Sequence, residues 1–129
     1  MKKVLIADDE PEIVEMLEAI LQTSGYQVFS VMNGSDLPRK VQEVKPDILL
    51  LDVLLPGIDG YSLQMRFAQE EETKDMPVIV ITALPAARAL FEKFPQVKLF
   101  LSKPFDPMEL IEKIREITGN PARKEHKNA

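Results

Sequence analysis

A chain of 129 residues, 45% of them hydrophobic, has room for one hydrophobic core and is the size of one ordinary domain. The absence of cysteine excludes a disulfide framework, a thiolate metal site and cysteine catalysis, and with no signal-like start and no long apolar run the expected location is cytoplasmic, with no membrane partner. The formal net charge of −5 argues against direct nucleic-acid binding through a basic surface, because neutralising phosphates needs clustered Lys and Arg. Residues 121–129 carry about +2 and hold the one histidine, His126; they read as a polar, disordered tail (120–129) behind a domain spanning 1–119.

Val4-Leu5-Ile6-Ala7 is a short apolar run that ends in Asp8-Asp9-Glu10, a strand handing over to a helix. Pro11 suits a first helical turn, Ile13, Leu17, Ile20 and Leu21 repeat at helical spacing, and Gly25 supplies the stop. Val28 to Met32 make a second strand. Asn33-Gly34-Ser35 then opens a second helix with Leu37, Val41 and Val44 inward, provided Pro38 lies in its first turn. Ile48 to Leu51 form a third strand, apolar on both faces, and Asp52 falls at its end. The turn signals Pro56-Gly57 and Asp59-Gly60 follow, and a helix is expected from Asp59 or Gly60 to about Glu71.

Past the charged connector 70–75, Val78-Ile79-Val80-Ile81 is a fourth strand ending at Thr82-Ala83. Ala87, Leu90, Phe91 and Phe94 predict a short fourth helix bounded by Pro95, and Val97 to Leu101 a fifth strand closed by Ser102-Lys103-Pro104-Phe105. Asp106-Pro107-Met108-Glu109 combines a good N-cap, a first-turn proline and an acid, so a last helix buries Leu110, Ile111, Ile114 and Ile117 before Gly119. Five β–α units with strands of near-continuous Val, Ile and Leu imply an α/β fold, a parallel sheet with helices on both faces. Ligands of such sheets bind beyond the carboxyl ends of the strands, where Asp8, Asp9, Asp52, Thr82 and Lys103 all fall.

Three carboxylates brought close together repel, and a divalent cation resolves the conflict. Oxygen-only ligands select a hard ion, with Mg²⁺ the usual cellular choice. Lys103 adds an ammonium and Thr82 a hydroxyl, groups suited to the oxygens of a phosphoryl group, so the set reads as phosphoryl transfer to Asp52. Taken singly, each residue has a plainer role: a helix cap for Asp8 or Asp9, a turn for Asp52, a strand end for Thr82, the surface for Lys103.

The joint pattern resembles the receiver domains of bacterial two-component response regulators, through Val4-Leu5-Ile6-Ala7-Asp8-Asp9-Glu10, Asp52-Val53-Leu54-Leu55-Pro56-Gly57-Ile58-Asp59-Gly60, Val80-Ile81-Thr82-Ala83 and Leu101-Ser102-Lys103-Pro104-Phe105. The resemblance covers residues 1 to about 119 and implies a flavodoxin-like sheet of order 2-1-3-4-5. It implies that Asp52 accepts a phosphoryl group from a histidine kinase or phosphotransfer partner, with Mg²⁺ held by Asp8, Asp9, Asp52 and the backbone carbonyl of Leu54. Lys103 and Thr82, with Ala83 beside it, are the implied phosphate-binding and switch positions, the Lys103-Pro104 bond is expected to be cis, and Phe100 matches an aromatic switch whose ring turns inward.

On this resemblance the output is a changed surface of helix 4, strand 5 and helix 5 that binds a downstream protein or a second copy. The chain would then be a phosphoacceptor that catalyses its own phosphorylation and slow dephosphorylation rather than a multiple-turnover enzyme. Leu54 and Leu84, two residues after Asp52 and Thr82, offer no group to orient an attacking water. The stretch Phe94-Pro95-Gln96-Val97-Lys98 departs from the Gly-Ala-Asp-like turn common in the family, which bears on helix 4.

Alternatives are the N-terminal receiver piece of a longer DNA-binding regulator, a degenerate receiver used purely for binding, and a small haloacid dehalogenase-like phosphatase. The phosphatase wants a second Asp two residues after the nucleophile, which Asp52-Val53-Leu54 lacks. A flavin-binding protein of similar topology would set Asp8-Asp9-Glu10 against its own phosphate.

Overall fold

The apolar runs become five parallel strands: β1 (Lys3–Ala7), β2 (Gln27–Val31), β3 (Ile48–Leu51), β4 (Val78–Thr82) and β5 (Val97–Ser102). They lie in the order β2-β1-β3-β4-β5, as expected, with Val4 opposite Ile48 and Leu51 opposite Val80 fixing the register across the centre. The structure, a computed structural model, describes residues 1–119, so the expected tail 120–129 lies outside the described residues. Helices α1 (Pro11–Thr23), α2 (Leu37–Val44), α3 (Gly60–Gln69), α4 (Arg88–Phe91) and α5 (Pro107–Thr118) connect or follow the strands. No helix among the described residues is long and apolar enough to cross a membrane.

Alternation along each strand divides the core in two. Leu5, Leu49, Leu51, Val78 and Val80 face the side covered by α2, α3 and α4, where they meet Leu37, Leu63, Phe67 and Phe91. Val4, Ile6, Ile48, Leu50, Ile79 and Ile81 face α1 and α5, meeting Leu17, Leu21, Leu110 and Ile114. Each such leucine stabilises by about 1.5–3 kcal/mol on burial. Both faces being covered is why these strands carry no polar alternation.

Boundaries differ where local geometry overrides pattern. Met32 lies outside β2 and is exposed. A 3₁₀ turn at Gly34–Asp36 precedes α2, which leaves Pro38 in the first turn, where its missing N–H has no cost. Helix α3 stops at Gln69, two residues short of expectation. The fourth helix is one turn only, entered through a 3₁₀ turn at Pro85–Ala87; Leu90 is exposed and Phe94 lies beyond the helix end.

The residues that depart from the family turn follow this short helix and hold the entry to β5. Gln96 is buried, and its Nε2 donates to the carbonyls of Thr73 (2.9 Å) and Met76 (2.7 Å) while its Oε1 accepts from Gln64 Nε2 (2.8 Å). The carboxamide satisfies two backbone carbonyls and ties the start of β5 to the connector before β4.

Candidate functional site

Backbone bonds just past the strands tie the carboxyl end of β1 to those of β2 and β3, and that of β5 to that of β4. Asp52 N–H donates to Ala7 O (2.9 Å), Asp8 N–H to Val31 O (3.1 Å), and Lys103 N–H to Thr82 O (2.8 Å). The Lys103-Pro104 peptide is cis. The loop after β3 is braced from the other side: Gly34 N–H donates to Pro56 O at 2.7 Å, and a Cβ on Gly34 would lie 2.6 Å from Ile58 O.

Asp8 and Asp52 are buried, with side chains 5% exposed, and Lys103 Nζ lies 2.8 Å from an oxygen of each. Glu10 supplies a third carboxylate to the same ammonium from the solvent side. The remaining oxygens are engaged as well. Leu54 N–H donates to Asp52 Oδ1 at 2.9 Å, and Glu10 N–H to Asp8 Oδ1 at 2.9 Å. Both bonds fix the carboxylate planes and leave the Leu54 backbone beside Asp52.

Three negative charges and one positive charge leave this cluster net negative, and the pKa shifts follow. Burial pushes the Asp8 carboxyl above its ordinary value, more than the hydrogen bonds from Lys103 and the Glu10 N–H pull it down. For Lys103, burial pulls downward, but hydrogen bonds to Asp52, Asp8 and Glu10 outweigh it and the net shift is upward. The two partners of one ion pair thus both move up: a single ammonium divided among three carboxylates gains more than Asp8 does.

The donor set suits a hard divalent cation. Asp8, Glu10 and Asp52 each bring a carboxylate oxygen, these oxygens lie within 4.8 Å of one another, and no nitrogen or sulfur ligand is among them. Asp9, expected as a ligand, is exposed at the end of β1 and is not in this group of three, whereas Glu10 is. The sequence pattern assigns Glu10 no site role. Its one signal there is its place directly after the acidic pair, before Pro11.

Thr82 is buried at the end of β4 with its Oγ1 accepting from Leu84 N–H at 3.4 Å, and Ala83 is exposed beyond it. Leu54 and Leu84 both present exposed apolar side chains. Phe100 lies apart from the carboxylates. Its ring is 4% exposed, in the core with Phe91, and the Arg88 guanidinium sits 5.3 Å from the ring centroid while Nη2 donates to Phe100 O at 3.2 Å.

Residues 4–115 match the family model described as the response regulator receiver domain. The chain belongs to this family. Relatives include the DNA-binding dual master transcriptional regulator RpaA of Synechocystis sp., 31% identical over 91% of this chain and 49% of that protein. Protein PilH of Pseudomonas aeruginosa is 30% identical over 91% of this chain and 98% of its own length. The chain therefore spans about half of one receiver-containing relative and nearly all of another. Among solved structures, the response regulator TrrA of Thermotoga maritima in complex with Mg²⁺ and BeF superposes with a TM-score of 0.80 at 31% identity, covering 91% of this chain and 99% of that one. The receiver fold and family are thus shown, and Mg²⁺ is present in a family member.

Proposed function

We propose that this receiver is a phosphorylation-dependent switch in the cytoplasm, in which Asp52 takes a phosphoryl group from the phosphohistidine of a sensor kinase or phosphotransfer protein. The observation that carries this reading is the buried Asp52 carboxylate, oriented by Leu54 N–H through one oxygen and contacted by Lys103 through the other. An Asp52 oxygen attacks phosphorus; the new P–O bond forms as the donor's P–N bond breaks, and the departing imidazole nitrogen keeps that electron pair and takes a proton from water. Lys103 then follows the transferred oxygens, and the Thr82 hydroxyl exchanges its long contact with Leu84 N–H for one of them.

Asp8, Asp52 and the Leu54 carbonyl are the groups proposed to hold Mg²⁺, with Asp9 reaching it from the exposed side. When bound, Mg²⁺ supplies neutralisation of the charge that gathers on the phosphoryl oxygens. Output runs through α4, β5 and α5 to a downstream protein or a second copy, residues 1–119 being the switching unit. A longer regulator with this receiver at its N-terminus is the second reading, favoured by RpaA, of which the matched region is 49%.

Intact mass after incubation with acetyl phosphate tests the reading. Wild type gains one alkali-labile phosphoryl adduct that requires Mg²⁺, and Asp52→Asn gains none. Because Leu54 and Leu84 orient no water, the adduct persists for minutes or longer at neutral pH; loss within seconds would count against this role. No adduct on a folded, Mg²⁺-binding protein would favour strict kinase dependence or a binding module.

A further inference from the structure

Lys103 has three N–H donors on its ammonium, and its three acceptors are the carboxylates of Asp8, Asp52 and Glu10. Those acceptors are not equivalent. All three bring an oxygen within 4.8 Å of the others, but the Asp8 and Asp52 side chains are buried in the site whereas the Glu10 side chain is 54% exposed at its solvent edge. Glu10 sits at the junction of β1 and α1 in extended conformation (φ −95°, ψ 106°), and it makes no side-chain cap to its own helix. Its backbone N–H holds Asp8 while its carboxylate holds Lys103, so one residue touches both members of the buried ion pair.

An ammonium and a divalent cation placed together against Asp8 and Asp52 repel one another at short range. Binding the cation therefore obliges Lys103 to leave at least one buried carboxylate, and a buried ammonium without a partner is costly. We infer that Glu10 is a positioning residue, the outer anchor that keeps Lys103 over the site when Asp8 and Asp52 turn to a divalent cation. This inference rests on the proposed phosphoacceptor role of the same site.

With Gln at position 10 the ammonium has only the two buried carboxylates to pair with, and it competes for both. Before cation binding the lost contact is one of three; afterwards it is the main one left, so the loss falls more heavily on the bound state.

The test is a double-mutant cycle in Mg²⁺ affinity, measured by isothermal titration calorimetry with no phosphodonor present. Glu10→Gln weakens Mg²⁺ binding about fivefold when Lys103 is present. In a Lys103→Met background the same change leaves affinity unaltered. Equal loss in both backgrounds would make Glu10 a direct ligand or merely a nearby charge, and would overturn the inference, as would unchanged or tighter binding in the single variant. Circular dichroism establishes that each variant is folded, and Glu10→Ser repeats the cycle should Glu10→Gln prove unstable. A wild type that neither binds Mg²⁺ nor forms the Asp52 adduct overturns the proposed function itself. Additivity alongside normal wild-type phosphorylation overturns only the role of Glu10.

Discussion

At the scale of single residues, the site is held in a state its own charges oppose. Asp8 is buried beside Asp52, and its carboxyl lies above its ordinary value because burial outweighs the help of Lys103 and the Glu10 N–H. A carboxylate whose folded pKa is raised destabilises the fold wherever it is ionised. The penalty is absent below the unfolded value near 3.8, grows as pH rises from there, and is complete only above the raised folded value. Asp8→Asn is therefore expected to raise the midpoint of thermal unfolding by a few degrees in the absence of Mg²⁺ at pH 7. That advantage shrinks as the pH is lowered through the same window, and it closes or reverses when Mg²⁺ stabilises wild type alone. Scanning calorimetry of both proteins with EDTA and with Mg²⁺ checks it; a variant less stable than wild type under EDTA would show that the Lys103 pairing outweighs burial. Asp52 and Lys103 were legible in the sequence only jointly, because acids, a threonine and a lysine fall at the ends of four separate apolar strands, whereas a turn or a surface position would account for either residue alone. Glu10 was not: its role depends on extended backbone aiming one exposed carboxylate at a lysine 93 residues away in sequence.

At the scale of elements, helix starts were the most readable feature. Asp59 accepts from the N–H groups of Tyr61 (2.9 Å) and Ser62 (3.0 Å), and Asp106 from Met108 N–H (2.9 Å), as their places before Gly60 and Pro107 suggest. Asp59 also tethers the far end of the loop that begins at Asp52, so its cap serves the site as well as α3. Hydrogen bonds from the Ser62 hydroxyl and N–H hold its carboxyl below the ordinary value, so its contribution is present above pH 3.8 and lost as pH falls through the lowered folded value. Asp59→Ala is expected to cost about 1 kcal/mol at pH 7, the usual worth of such a cap, whereas Asp59→Asn costs less because the amide oxygen still accepts. Urea unfolding at pH 7 and at pH 3 checks both magnitude and direction: the gap between wild type and Asp59→Ala must narrow in acid. The fourth helix was the least readable element. Its spacing of Ala87, Leu90, Phe91 and Phe94 fits a helix running to Pro95, but the helix is one turn only, and the chain between it and β5 is held instead by Gln96 pairing with Gln64 and two carbonyls. Nothing in the pattern of apolar residues announces a buried carboxamide.

At the scale of the molecule, the carboxylate site and the α4–β5 face are linked through a short path. Thr82 ends β4, pairs with Ser102 across β5, and its hydroxyl contacts the N–H of Leu84, the residue before the turn into α4. Phe100 lies on β5 opposite Val80, with its ring buried in the core that also holds Phe91. Arg88, the first residue of α4, holds that arrangement by stacking on the ring and bonding the Phe100 carbonyl, while its other nitrogen pairs with Glu92 at 2.9 Å. If the inward ring and the phosphoryl-bound Thr82 belong to one state, whatever stabilises the ring must also favour phosphoryl binding, because linkage is reciprocal. A partly exposed cation–π contact contributes about 0.5–1 kcal/mol. Removing it lowers the population of the inward state and weakens a phosphoryl mimic by up to about threefold, although Arg88 touches none of the site carboxylates. Titration of wild type, Arg88→Ala and Arg66→Ala with beryllofluoride in saturating Mg²⁺, followed by amide NMR shifts, measures this. Arg66 is a fair control, since its ion pair is to Glu70 on the exposed end of α3. Equal affinity in all three proteins would uncouple the Phe100 ring from the phosphoryl site and leave Arg88 a local fastening of α4 to β5.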